Sequence, residues 1–105
     1  MHYQEQVYDV VQSIPEGRVS TYGAISNFLS LGSARMVGWA LNQLKGPHGI
    51  PAHRVVNSKG ELSGSLHFGT DPGMGNLLQQ EGVEVKNNKV VDFQKKFWNP
   101  SVEIR

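Results

Sequence analysis

Ser20-Thr21-Tyr22-Gly23-Ala24-Ile25-Ser26-Asn27-Phe28-Leu29, then Ser30-Leu31-Gly32, then Ser33-Ala34-Arg35-Met36-Val37-Gly38-Trp39-Ala40-Leu41 is the stretch on which the reading of this chain turns. It holds two helix starts and one turn. Ser20-Thr21 offers hydroxyl caps to a short helix that buries Ala24, Ile25, Phe28 and Leu29 and ends before Gly32. Ser33 caps a second helix, from about Ala34 to Leu44, with Val37, Ala40, Leu41 and Leu44 inward and Arg35, Trp39 and Asn42 outward. Two short helices joined by so tight a turn form a helix-turn-helix candidate, a pattern that ordinary αα-corners share.

Upstream, Tyr3, Val7, Val10, Val11 and Ile14 recur at helical spacing, and Ile14-Pro15-Glu16-Gly17 breaks that helix near Ser13. Downstream, Val55-Val56 suggests an extended segment, the turn Asn57-Ser58-Lys59-Gly60 follows, and Glu61 to Gly64 is expected to return as its partner strand, a wing. Ser65 to Gly75 is loop-like, and Leu77, Leu78 and Glu81 before Gly82 indicate a short helix. Val83-Glu84-Val85 and Val90-Val91 flank a turn and read as a hairpin. Phe93 to Trp98 is expected to be a short helix ended by Asn99-Pro100. The expected fold is mainly α with small β hairpins, a winged-helix-like single domain spanning residues 1–105.

Composition narrows the chemistry. A chain of 105 residues supports one modest core. With no cysteine, it has no disulfides, no thiolate metal site and no cysteine nucleophile. His2, His48, His53 and His67 share no ligand spacing, so no metal is expected. Residues 1–9 lack an apolar signal core and no run approaches membrane length, which leads us to expect a cytoplasmic protein with no membrane partner.

The net charge of +1 conceals an uneven distribution: Gly17 to Gly60 has no acidic residue but holds Arg18, Arg35, Lys45, Arg54 and Lys59. The flanking segments are net acidic. A carboxylate-free middle suits a surface that meets a polyanion.

Several motifs in order resemble the DNA-binding domain of O6-alkylguanine-DNA alkyltransferases. They are Ile14-Pro15-x-Gly17-x-Val19-Ser20-Thr21-Tyr22-Gly23, Ala34-Arg35-x-Val37-Gly38-x-Ala40, Ile50-Pro51-x-His53-Arg54-Val55-Val56, Gly60-x-Leu62-x-Gly64 and Leu77-Leu78-x-x-Glu81-Gly82. The family's reactive motif reads Pro-Cys-His-Arg-Val, and here Ala52 stands at the nucleophile's position. That substitution, with Ser65 and Met74 where the family often has an aromatic and a lysine, resembles the alkyltransferase-like branch. A methyl group cannot accept an alkyl group, so the resemblance implies a protein that is not an enzyme, with no catalytic residue and no cofactor.

The resemblance also implies residue roles. Tyr22 would rotate the target nucleotide, Arg35 would fill the vacated stack, and Ala34 and Gly38 would give a helix face slim enough for the minor groove. Tyr22, Pro51, Ala52, His53, Arg54, Val55 and Ser65 would form a lesion pocket, and His53 with Glu81 a structural network. The implied partners are double-stranded DNA containing O6-alkylguanine and nucleotide excision repair proteins, and the protein itself is expected to be a monomer. A general DNA-binding or protein-interaction module that has lost lesion preference is the alternative.

Overall fold

The computed structural model describes residues 3–44, 48–63 and 73–104. Helix α1 (Tyr3–Ser13) buries Val7, Val10 and Val11. Strand β1 (Ser20–Thr21) runs directly into α2 (Tyr22–Leu29), and α3 (Ala34–Asn42) follows. Thr21 caps α2 by accepting a hydrogen bond from the Ala24 amide at 3.0 Å, and Ser33 caps α3 by accepting from Arg35 at 3.2 Å. Both capping hydroxyls therefore satisfy amides that a helix start leaves without intrahelical partners. Between the helices Ser30 takes a left-handed conformation, φ 56°, and the Leu31 amide reaches back to the Ser26 carbonyl. The helix-turn-helix is formed, with α3 ending at Asn42 rather than Leu44.

Helix α1 packs beneath this pair. Tyr3 donates its hydroxyl to the Met36 carbonyl and Tyr8 donates to that of Ala40, at 3.1 and 2.6 Å. Two phenols thus tie α1 to carbonyls of α3. One core cluster unites Val7, Val10, Val11, Ile14, Ile25, Val37, Ala40, Val55 and Trp98. A second, built from Val19, Val56, Leu62, Met74, Leu78, Val83 and Val90, supports the C-terminal half.

Strand β2 (Val55–Val56) lies between them and corrects the expected wing. It pairs in parallel with β1, Ser20 opposite Val55 and Thr21 opposite Val56, while Glu61 bridges instead to Lys89. The physical reason is burial. Val55 and Val56 are both fully buried, one in each core cluster, as a strand covered on both faces requires. A wing would have exposed alternate residues.

Helix α4 (Met74–Gln80) buries Met74 and Leu78. The expected later hairpin is present as β3 (Val85–Lys86) and β4 (Lys89–Val90), turned by Asn87 and Asn88, both at positive φ as a two-residue turn of this twist requires. The tail also departs from expectation. Helix α5 (Phe93–Lys96) stops early because the next residues extend alongside Val19: the Val19 amide donates to the Lys96 carbonyl and the Trp98 amide donates to that of Val19. Asn99-Pro100 then starts α6 (Pro100–Glu103) instead of ending a helix, with the Asn99 side chain accepting from Ser101.

Candidate functional site

Tyr22 opens α2, and Ala34, Arg35 and Gly38 lie along the first turns of α3; together these four residues line one concavity of about 230 Å³. Its wall is almost wholly apolar, and Arg35 on its border is an exposed residue. Gly38 makes the space: a Cβ there would touch Tyr22 Cε1 at 4.0 Å, ordinary contact, but a longer side chain would fill the hollow. Trp39, one turn beyond Arg35, is exposed and leans on the Tyr3 ring at 6.2 Å.

Burial raises the pKa of the Tyr22 phenol above its ordinary value, and a side-chain hydrogen bond with Ser63 acts in the opposite sense. The phenol is therefore neutral at physiological pH. A neutral hydroxyl can stand beside a phosphate without charge repulsion.

The second group is carried by a single 3-10 turn, Ala52–Arg54, leading into β2. Pro51 precedes it, and the methyl of Ala52 occupies a half-buried position. His53 Nε2 and Glu81 Oε2 are 2.8 Å apart, with both side chains only 12% exposed. Arg54 grips the same carboxylate in two places, Nε to Oε1 at 2.8 Å and Nη2 to Oε2 at 2.7 Å, and donates from Nη1 to the Ile14 carbonyl. Burial alone would raise the Glu81 pKa, but the hydrogen bonds from Arg54 and His53 outweigh it and hold the carboxyl below the usual carboxylate range.

The sequence-predicted residues thus fall into different places. Tyr22, Ala34, Arg35 and Gly38 come together. His53 and Glu81 form the expected network, which sequence reasoning left one member short: Arg54 directs its guanidinium to Glu81. Val55 is fully buried in the core, so its side chain supports the turn from behind. Ser65 lies outside the described residues.

The charge reading is also corrected. Arg18 donates to the carbonyls of Lys96 and Phe97, and the charge of Arg54 is met by Glu81. Lys45 lies outside the described residues, and Lys59 lines a different groove, leaving Arg35 as the described cation of the acid-free stretch that borders the concavity. Two of the five charges are structural because their partners, distant in sequence, are brought to them by the fold.

The helix-turn-helix, whose second helix presents a slim face beside an arginine, is thus joined by a parallel ladder to the Pro-x-His-Arg turn, the motifs that resemble the O6-alkylguanine-DNA alkyltransferase DNA-binding domains. The chain belongs to that family: residues 2–83 match the model of the 6-O-methylguanine DNA methyltransferase DNA binding domain. Among its relatives, alkyltransferase-like protein 1 of Schizosaccharomyces pombe is 36% identical over 93 residues, covering 88% of this chain and 86% of the relative. A DNA base-flipping protein of Vibrio parahaemolyticus is 37% identical over 96 residues, 90% of this chain and 94% of the relative. The crystal structure of S. pombe Atl1 in complex with damaged DNA containing O6-carboxymethylguanine superposes with a TM-score of 0.79 at 32% identity, covering 93% of this chain and 95% of that one.

Proposed function

We propose that this protein binds double-stranded DNA containing O6-alkylguanine through the minor groove, rotates the damaged nucleotide out of the helix, and marks the site for nucleotide excision repair without altering the base. The observation that carries this reading is the concavity formed by Tyr22, Ala34, Arg35 and Gly38. It puts a neutral phenol, a slim helix face and an exposed guanidinium at one place. Rotating a nucleotide costs roughly a few kcal/mol in stacking and pairing, less for a weakly paired alkylated guanine. Arg35 is suited to offset that cost by stacking in the gap and hydrogen-bonding the orphaned partner, and Tyr22 to crowd the adjacent phosphate.

Composition supports the reading that no alkyl group is transferred to the protein. No thiol exists in the chain, and Ala52 stands where the family's nucleophile belongs. His53 and Arg54 both bond the Glu81 carboxylate, and Arg54 also donates to the Ile14 carbonyl, so these side chains hold the turn. The names of the relatives, alkyltransferase-like protein and DNA base-flipping protein, support the same reading.

The test is competition between an O6-methylguanine duplex and the matched plain duplex, with 2-aminopurine opposite the lesion reporting unstacking. Preferential binding with a fluorescence rise, both reduced in Arg35→Ala and Tyr22→Ala, is expected. Equal affinity for the two duplexes would favour a general DNA-binding module, and loss of the O6-methyl group with turnover, read by mass spectrometry, would make the protein an enzyme.

A further inference from the structure

A second concavity, of about 430 Å³, is built on the other core cluster and shares no residue with the first. Its lining comes from three separate elements: Lys59 from the turn after β2, Lys89 from β4, and Asp92, Phe93, Gln94 and Lys95 at the start of α5. Phe93 forms an apolar surface there. Its ring is fixed from one side by Gly60, at φ +82°, where a Cβ would come within 3.0 Å of Phe93 Cγ, and it pairs with Phe97 at 5.7 Å. Among the described residues none of the three lysines is in an ion pair. A groove lined by three cations from three separate elements, together with an aromatic ring, is more specific than a solvated surface.

Charge complementarity selects the occupant. Three lysines outweigh the one carboxylate, Asp92, so the groove attracts anionic groups. DNA fits poorly: a duplex presents a convex, regularly charged backbone, while this surface is concave and apolar at Phe93. A peptide can bring carboxylates to the lysines and an apolar side chain to the ring.

We propose that the groove between Lys59, Lys89, Phe93 and Lys95 is the docking site for an acidic segment of a partner protein bearing a large apolar side chain. This gives chemical form to the partner that the marking role requires, and in that respect rests on the proposed function. A short run of backbone hydrogen bonds connects the groove to the start of α2. Its helix α5 runs into the Lys96–Trp98 segment that hydrogen-bonds Val19, and Val19 adjoins the β1 strand from which α2 begins.

The test is a fluorescence-anisotropy titration of the intact chain with a short labelled peptide alternating aspartate and leucine around one phenylalanine. A control peptide replaces aspartate with lysine. Saturable binding of the acidic peptide alone, weakened roughly tenfold or more in Lys59→Glu/Lys89→Glu/Lys95→Glu, is expected. These side chains are exposed or lie at the surface, and circular dichroism of the variant checks its fold. The same variant should bind the O6-methylguanine duplex as the parent does. No binding of the acidic peptide, binding indifferent to the charge reversals, or a parallel loss of duplex binding would each overturn the proposal, the last making the groove a phosphate contact. Failure of the proposed function reads out separately, as equal affinity for lesion and plain duplex in the parent protein.

Discussion

Arg54 and Glu81 form a two-point ion pair, 2.8 and 2.7 Å, between side chains that are 14% and 12% exposed. The pair holds the 3-10 turn that carries Ala52 at its start. The Ile14 carbonyl and His53 complete the arrangement, so the Arg54 guanidinium links α1's end to the Glu81 carboxylate at the end of α4, which also holds His53 of the 3-10 turn.

Replacing Glu81 with Gln should therefore act on stability first. Breaking one partner of such a pair leaves an uncompensated buried charge, a loss of about 3 kcal/mol in urea denaturation at neutral pH. Because the folded-state pKa of Glu81 is depressed, its contribution is fully present above the unfolded carboxylate value and lost as pH falls through the lower folded value. The parent's stability should fall below about pH 4 more steeply than that of the variant. A parallel pH dependence in the two proteins would refute the assignment.

Arg18 separates charge from role. Its guanidinium caps the carbonyls of Lys96 and Phe97 at 3.1 and 2.6 Å. Arg18→Ala should cost about 2 kcal/mol of stability, as expected for charge-assisted bonds. The salt dependence of DNA binding, measured on the folded variant, should stay that of the parent; a shallower slope would mean that Arg18 meets phosphate.

Gly38 gives a graded test of the slim helix face. Gly38→Ala places its methyl at ordinary contact distance from Tyr22 and removes a helix-interior glycine, so a stabilisation of about 0.5–1 kcal/mol is expected. Gly38→Leu should fill the concavity and abolish lesion-duplex binding while the protein remains folded. Undiminished binding by the leucine variant would take the helix face out of the interface.

The two tryptophans report on different places, Trp39 being 51% exposed on α3 and Trp98 only 4% exposed in the core. DNA bound at α3 should change the emission of Trp39. Trp39→Phe should remove that change, and its persistence would locate the DNA elsewhere.

Much of this arrangement was legible because its causes are local. Thr21 and Ser33 announce helix starts, and Pro15 a stop, through bonds that span only a few residues. The four residues of the concavity were legible through motif resemblance, since Tyr22 and Arg35 match named positions. What escaped depends on distance along the chain. Nothing beside Arg18 says that carbonyls near the C-terminus will take its guanidinium. Val55-Val56 looked like the first arm of a local hairpin, and only burial on both faces explains its pairing with Ser20-Thr21.

That pairing also determines what can be transplanted. Helix α2 begins where β1 ends, and β1 takes its ladder partner from the strand that continues the Ala52 turn. The two helices are consequently no detachable cassette: grafted alone, they would arrive with Tyr22 following an unpaired strand. Any engineer moving this reading head to another scaffold must carry the distant strand along with it, and mutation faces the same constraint, free to change residue 52 but not to reposition it independently of the helices.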